Sequence, residues 1–241
     1  MTISPVYSTR MPTVPRPLHA LVLLVPAAIL LAAQRPAPAA QEAARVRGRV
    51  EIGIPVVTRR PTTAYPTRAV ASPKLAPGSE RRNVVVYLRN GQPQRVAPMK
   101  VAIRQKDETF TPRVVAVTVG SEVEFPNDDP IYHNVFSLSR VKNFNLGRYP
   151  RGETRRVRFD RPGVVKVFCD IHSHMSATVM VFDHPWFTMP NDAGEFELTG
   201  LPAGARQITA WHERLGDTTV DVRIEAGRTL QADFVLPVPE K

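Results

Sequence analysis

Short apolar runs separated by turn-forming residues make up most of this chain, and no long helical period appears between Ala40 and Pro98. Apolar and polar residues alternate in Val46-Arg47-Gly48-Arg49-Val50-Glu51-Ile52, as they do in a strand with one buried face. Val84 to Leu88 is a compact apolar run, bounded by Asn90-Gly91-Gln92-Pro93, which is a turn signal. Between these two segments, Arg59 to Ser79 is rich in Pro, Thr, Ala and basic side chains and reads as an irregular loop.

From Lys100 the pattern tightens. It predicts strands over Val101–Gln105, Val114–Val119, Glu122–Phe125, His133–Leu138, Thr154–Phe159, Val164–Phe168 and Ala177–Phe182. Seven short strands with turns between them predict a β-sandwich. A sandwich exposes loops at each pole, where a ligand site can sit on a rigid scaffold. After Asp183 the pattern restarts, with strands predicted over Gly194–Leu198, Ala205–His212, Thr218–Ile224 and Thr229–Leu236. Turns are supplied by Asn191-Asp192-Ala193-Gly194 and Leu201-Pro202-Ala203-Gly204. Four strands are few for an independent sandwich. The fold expected is all-β, and the 24 prolines agree with loops and strands over helices.

The first residues predict export. Arg10 and Arg16 precede an apolar stretch from Leu21 to Ala33, broken only by Pro26, and Ala37-Pro38-Ala39 offers a small-residue cleavage site. The stretch is too short to span a bilayer comfortably. Residues 1–39 are therefore expected to be a signal peptide, leaving a periplasmic or otherwise exported chain with no stable membrane span. Losing Arg10, Arg16 and Arg35 would lower the formal charge from +10 to +7, three charges fewer.

Export sharpens the meaning of the single cysteine, Cys169. It cannot form an internal disulfide, and a free thiol in an oxidising compartment invites oxidation or intermolecular pairing. A metal bond would deprotonate and occupy the sulfur. Cys169 lies between two strand-like runs in the spacing C-x2-H-x2-M, with His172 and Met175, and 36 residues upstream lies His133. Two imidazoles, a thiolate and a weak thioether are the donor set of a blue-copper electron-transfer site. Zinc would be an alternative occupant, but structural zinc sites rarely use Met.

These residues carry a family resemblance. The chain resembles the cupredoxins, the plastocyanin and amicyanin type of blue copper protein, from about Lys100 to Asp183. The likeness is to the amicyanin-like arrangement, with His-Asn-Val at His133 and C-x2-H-x2-M at Cys169. Phe110-Thr111-Pro112, Val119-Gly120, Phe125-Pro126-Asn127 and Pro162-Gly163 also look like that framework. The resemblance implies a Greek-key sandwich with one mononuclear type 1 copper. His133, Cys169 and His172 would lie in its plane, with Met175 as the long axial ligand. It also implies that Asn134 bonds across to the cysteine loop. His174 could compete as a ligand, but loop geometry and the resemblance favour His172. Asp128, Asp129 and Tyr132 flank His133 and are expected to shape an entrance. His184 and His212 are expected to be structural.

A second resemblance concerns Asp192-x-Gly194-x-Phe196-x-Leu198 followed by Leu201-Pro202-x-Gly204. It is similar to carboxypeptidase regulatory-like modules, which are transthyretin-like sandwiches. The organisation expected is a leader over 1–39, amino-terminal strands and loop over 40–97, a copper domain over 98–184, and the remaining transthyretin-like strands over 185–241. The copper domain would be inserted into the second module.

Arg140, Lys142, Arg148, Arg151, Arg155, Arg156 and Arg158 form a basic stretch interleaved with Phe144, Leu146 and Tyr149. It is either a solvated face or a steering surface for an acidic redox partner. No nucleic-acid motif accompanies the charge. One cysteine excludes a dinuclear copper centre bridged by two thiolates, and the lone His172-x-His174 falls short of the paired clusters of a multicopper oxidase. No nucleophilic triad is evident. The function expected is therefore not enzymatic. It is single-electron transfer by Cu(II)/Cu(I) cycling, with copper sequestration or delivery as the alternative.

Overall fold

The alternating segment is a strand. β1 (Ala44–Ile52) buries Ala44, Val46, Gly48 and Val50 and turns Arg45, Arg47, Arg49 and Glu51 to solvent. The structure is a computed structural model that describes residue 2, residues 44–53 and residues 80–236. The leader expected over 1–39, apart from Thr2, and the loop expected from Arg59 to Ser79 lie outside the described residues. No helix among the described residues is long and apolar enough to cross a membrane.

The chain is all-β. β2 (Val84–Leu88) is followed by β3 (Lys100–Ala102), β4 (Arg104–Lys106), β5 (Thr109–Thr111), β6 (Val114–Thr118) and β7 (Ser121–Pro126). Next come β8 (His133–Leu138), β9 (Asn143–Tyr149), β10 (Thr154–Phe159), β11 (Gly163–Phe168) and β12 (Ser176–Phe182). The last are β13 (Phe187–Thr188), β14 (Glu195–Leu201), β15 (Gly204–His212), β16 (Gly216–Ile224), β17 (Thr229–Gln231) and β18 (Phe234–Leu236).

Two sandwiches result. In the first, the sheet β10-β7-β3 faces the sheet β6-β12-β11-β8-β9. Between them lie Phe110, Val117, Phe125, Val135, Tyr149, Phe159, Val167 and Val179, with Cys169 and Met175 in the same core. Each such apolar side chain contributes about 1.5–3 kcal/mol over leaving it exposed. In the second, β1 pairs with β14, β17 and β18 against the sheet β13-β2-β15-β16. Its core holds Val46, Val50, Leu88, Trp186, Leu198, Ile208 and Phe234. Gly48 lets the closing chain approach β1: a Cβ there would come within 1.7 Å of Ala232 O. The two sandwiches touch through a third apolar layer. Val114, Ala116, Met180 and Phe182 on one side meet Val85, Tyr87 and Trp211 on the other.

Besides the short strands β5 and β13, which the pattern did not predict, the structure differs from the expectation in three places. The strand expected over Val101–Gln105 breaks at Ile103, because β3 pairs with β7 whereas β4 pairs with β5. The strand expected over Thr229–Leu236 is two, β17 and β18, each pairing parallel with β1. Part of the basic stretch is β9, an edge strand that pairs only with β8. Its two asparagines and Gly147 are weak strand formers, which hid it in the sequence.

Candidate metal centre

Two strand ends and one hairpin build a cluster at a pole of the first sandwich. β11 and β12 pair from Gly163↔Val181 to Phe168↔Ser176, so the loop 169–175 closes the hairpin. Met175 N–H donates to His172 O (2.9 Å) and Cys169 N–H to Met175 O (3.4 Å). This tight loop puts Cys169 and His172 on one side. β11 also meets β8 at Phe168↔Phe136, which brings the start of β8, and His133 with it, beside Cys169.

The donors form a triangle. Cys169 Sγ lies 4.0 Å from His133 Nδ1 and 3.9 Å from His172 Nδ1, and the two Nδ1 atoms are 3.0 Å apart. Among the described residues these three form a group able to hold a metal ion. Metal–nitrogen and metal–sulfur bonds run about 2.0–2.3 Å, so one ion can reach all three donors. The donor set, one thiol and two imidazoles, fits copper. Met175 ends the loop at 1 % exposure, in the same core as Cys169. His174 lies outside the triangle; its exposed ring faces Glu108 Oε2 at 3.6 Å.

Sequence reasoning missed the role of Asp129. His133 Nε2 lies 2.7 Å from Asp129 Oδ2. That carboxylate also accepts the N–H groups of Asp107 (2.6 Å) and Glu108 (2.9 Å) at the tip of the β4–β5 hairpin. Burial alone would raise the Asp129 carboxyl, but the bonds from Glu108, His133 and Asp107 outweigh it and hold it below its ordinary value. An ionised carboxylate only accepts, so Nε2 carries a proton, and in the neutral ring the lone pair is then on Nδ1. This fixes the tautomer a metal ligand needs. Asn127 shapes the approach: its Nδ2 donates to Ile131 O (2.9 Å) and Tyr149 O (3.1 Å), while its Oδ1 accepts Asp129 N–H (3.0 Å). The available signal was spacing, a carboxylate four residues before His133, but an oxygen donor beside a sulfur-containing set looked out of place.

One expectation is corrected. Asn134 Nδ2 donates to Asn145 Oδ1 on β9 (2.8 Å), not to the cysteine loop. Asn134 Oδ1 is buried with no partner among the described residues. The basic stretch carries its own counter-ions: Arg156 with Glu124 (2.8 Å), Arg158 with Asp160 (2.7 Å), Arg148 with Asp170 (3.4 Å) and Arg155 with Glu153 (3.4 Å). Exposed pairs add little stability, but they cancel charge locally. His184 and His212 sit outside the cluster. His184 packs between Phe182 (5.3 Å) and Trp186 (5.6 Å), and burial lowers its pKa.

No family model and no curated protein matches the chain. Among solved structures it is similar to a copper-containing nitrite reductase from Thermus scotoductus SA-01, at 26% identity and TM-score 0.34 over 39% of this chain and 26% of that one. This chain thus spans about a quarter of the reductase's length. It is also similar to a purple cupredoxin from Nitrosopumilus maritimus, at 23% identity and TM-score 0.32 over 34% of this chain and 99% of that one. A third is amicyanin from Paracoccus versutus, at 18% identity and TM-score 0.33 over 40% of this chain and 97% of that one. Each of these structures is matched over 40% of this chain or less. The transthyretin-like resemblance draws no support from them.

Proposed function

We propose that this chain is an exported type 1 copper protein, one that passes single electrons between redox partners and does not transform a substrate. His133, Cys169, His172 and Met175 would hold the ion. The observation that carries the reading is the triangle of one thiol and two imidazole Nδ1 atoms at one pole of a β-sandwich. Copper bound there would supply a Cu(II)/Cu(I) couple, and this donor mix suits both oxidation states.

The remaining work belongs to the chain. Asp129 keeps the His133 lone pair turned to the cluster. Burial shields Cys169, which is 4 % exposed, whereas His172 is only half-buried and gives the nearest route to solvent. Ile131, Tyr132 and Ile171 are exposed on the loops that carry the cluster, an apolar collar suited to a transient partner. An acidic partner steered by the uncancelled part of the basic stretch remains part of the proposal. So does the division in which residues 98–184 fold as a copper module inserted between the strands of the second sandwich.

The test is a Cu(II) titration followed by voltammetry. The reading expects one tight equivalent and a reversible one-electron couple. Tight copper without a reversible couple would replace it by sequestration or delivery. No tight copper would overturn both.

A further inference from the structure

The second sandwich contains a buried ionisable group with no part in the copper site. His212 ends β15 and is 2 % exposed. Its Nε2 lies 3.1 Å from Glu80 Oε2. Glu80 is also held by Asn83 Nδ2 (3.2 Å) and by Arg214 (2.5 Å). Its pKa is lowered although burial, the largest influence, pushes the other way. As a carboxylate it accepts, so His212 Nε2 carries the proton. His212 Nδ1 in turn accepts the N–H groups of Arg214 and Leu215, each at 3.2 Å. Both ring nitrogens are committed, and the arrangement requires a neutral ring.

The turn held this way carries Glu213, which reaches the other sandwich. Glu213 Oε1 meets Lys166 Nζ on β11 at 2.6 Å and Thr178 Oγ1 on β12 at 3.1 Å, with Arg113 at 3.7 Å. Lys166 Nζ lies 5.6 Å over the Trp211 ring. One histidine thus shapes the turn whose neighbouring carboxylate bridges the junction.

We propose that His212 is a proton-operated latch on the junction between the two sandwiches. A proton on Nδ1 turns an acceptor into a donor that faces two N–H donors. The turn must then reshape, and Glu213 leaves Lys166 and Arg113. The charged groups around the ring are Glu80 and Arg214, with Glu213 adjacent and Lys166 and Arg113 beyond it. Burial is the largest influence and disfavours the charged ring, Glu80 and Glu213 favour it, and Arg214 disfavours it; the balance lowers its pKa from 6.5. The sign follows. The unfolded chain takes up the proton before the folded one, so the stabilisation is complete above pH 6.5 and is lost as pH falls through the folded value. One proton changes the folded-to-unfolded ratio by up to about tenfold per pH unit.

The experiment follows the Trp211 indole resonance of the full chain by NMR from pH 7.5 to 5, with the other tryptophan, Trp186, read separately. The latch expects a one-proton shift of Trp211 below pH 6.5 while the strand signals persist. His212→Gln should remove that shift, and Glu213→Gln should give the low-pH Trp211 position throughout. His184→Gln should leave the shift in place. A Trp211 resonance unchanged to pH 5, or the same shift in His212→Gln, would overturn the proposal. Should His212→Gln fail to fold, the ring nitrogen shifts of the unmodified chain decide. Nε2–H at pH 7.5, with Nδ1 protonating in step with Trp211, supports the latch; an Nδ1–H ring at pH 7.5 overturns it.

Discussion

His133 and His212 are a matched pair in two different sandwiches. Both are buried, at 0 % and 2 % exposure, and both turn Nε2 to a carboxylate, at 2.7 Å from Asp129 and 3.1 Å from Glu80. They differ at the other nitrogen. His212 Nδ1 is occupied by two backbone N–H groups, whereas His133 Nδ1 faces a thiol and a second imidazole. The carboxylate partner therefore does not mark a metal ligand. The mark is a fixed tautomer whose free lone pair converges with other soft or borderline donors. The first arrangement holds a turn and the second leaves a donor ready.

The comparison breaks most visibly by exchanging the two losses. His133→Ala should cut copper affinity by at least about a hundredfold, by removing a direct ligand where even outer-shell losses reach that size, and should leave the β-sheet spectrum intact. His212→Ala should leave the copper equivalent unchanged and cost about 1–3 kcal/mol of stability in denaturant, because a buried hydrogen-bonding arrangement loses its centre. Copper loss in His212→Ala, or none in His133→Ala, would reverse the assignment.

The second effect is the carboxylate's. Asp129→Asn keeps the shape but removes the charge and turns one of the two acceptor oxygens into an NH2 donor, so the His133 tautomer is held less firmly and copper affinity should fall about 10–100-fold in a competition titration. Glu80→Gln should leave that affinity unaltered. The two sandwiches should also separate as fragments. Residues 98–184 hold both sheets of the first sandwich and are expected to unfold cooperatively and bind copper. Residues 185–241 lack β1 and β2 and are expected not to unfold cooperatively. A sharp calorimetric transition from 185–241 would end the insertion reading. The smallest effects belong to the edge of the site. Met175→Leu should keep the colour and raise the reduction potential, since Met175 would be the weakest of the four proposed ligands. His174→Ala should change neither.

Much of this was legible because it is local. Cys169, His172 and Met175 are spaced within one hairpin loop, and the apolar runs on either side fix the strands that close it. His133 was found through the His-Asn-Val resemblance, 36 residues upstream of Cys169. The pairing of β1 with β14, β17 and β18 lies between segments far apart in sequence, yet the alternation at Val46–Ile52 already called for a partner sheet. What stayed hidden depends on contacts that no single segment carries. Asp129 gains its role from the β4–β5 tip and from His133 together. Asn134 turns to β9, a strand that its asparagines and glycine concealed. Arg156 meets Glu124 on β7, a partner that its own segment does not carry.

The central claim is that Cys169 is the thiolate of a copper site, and an absorption spectrum of the purified chain with one equivalent of Cu(II) tests it most directly. The account predicts an intense visible sulfur-to-copper band that saturates at one equivalent and is absent from Cys169→Ser, whose remaining copper is only weakly coloured. A wild-type chain that takes up no copper, or a Cys169→Ser variant with the same intense band, would contradict it.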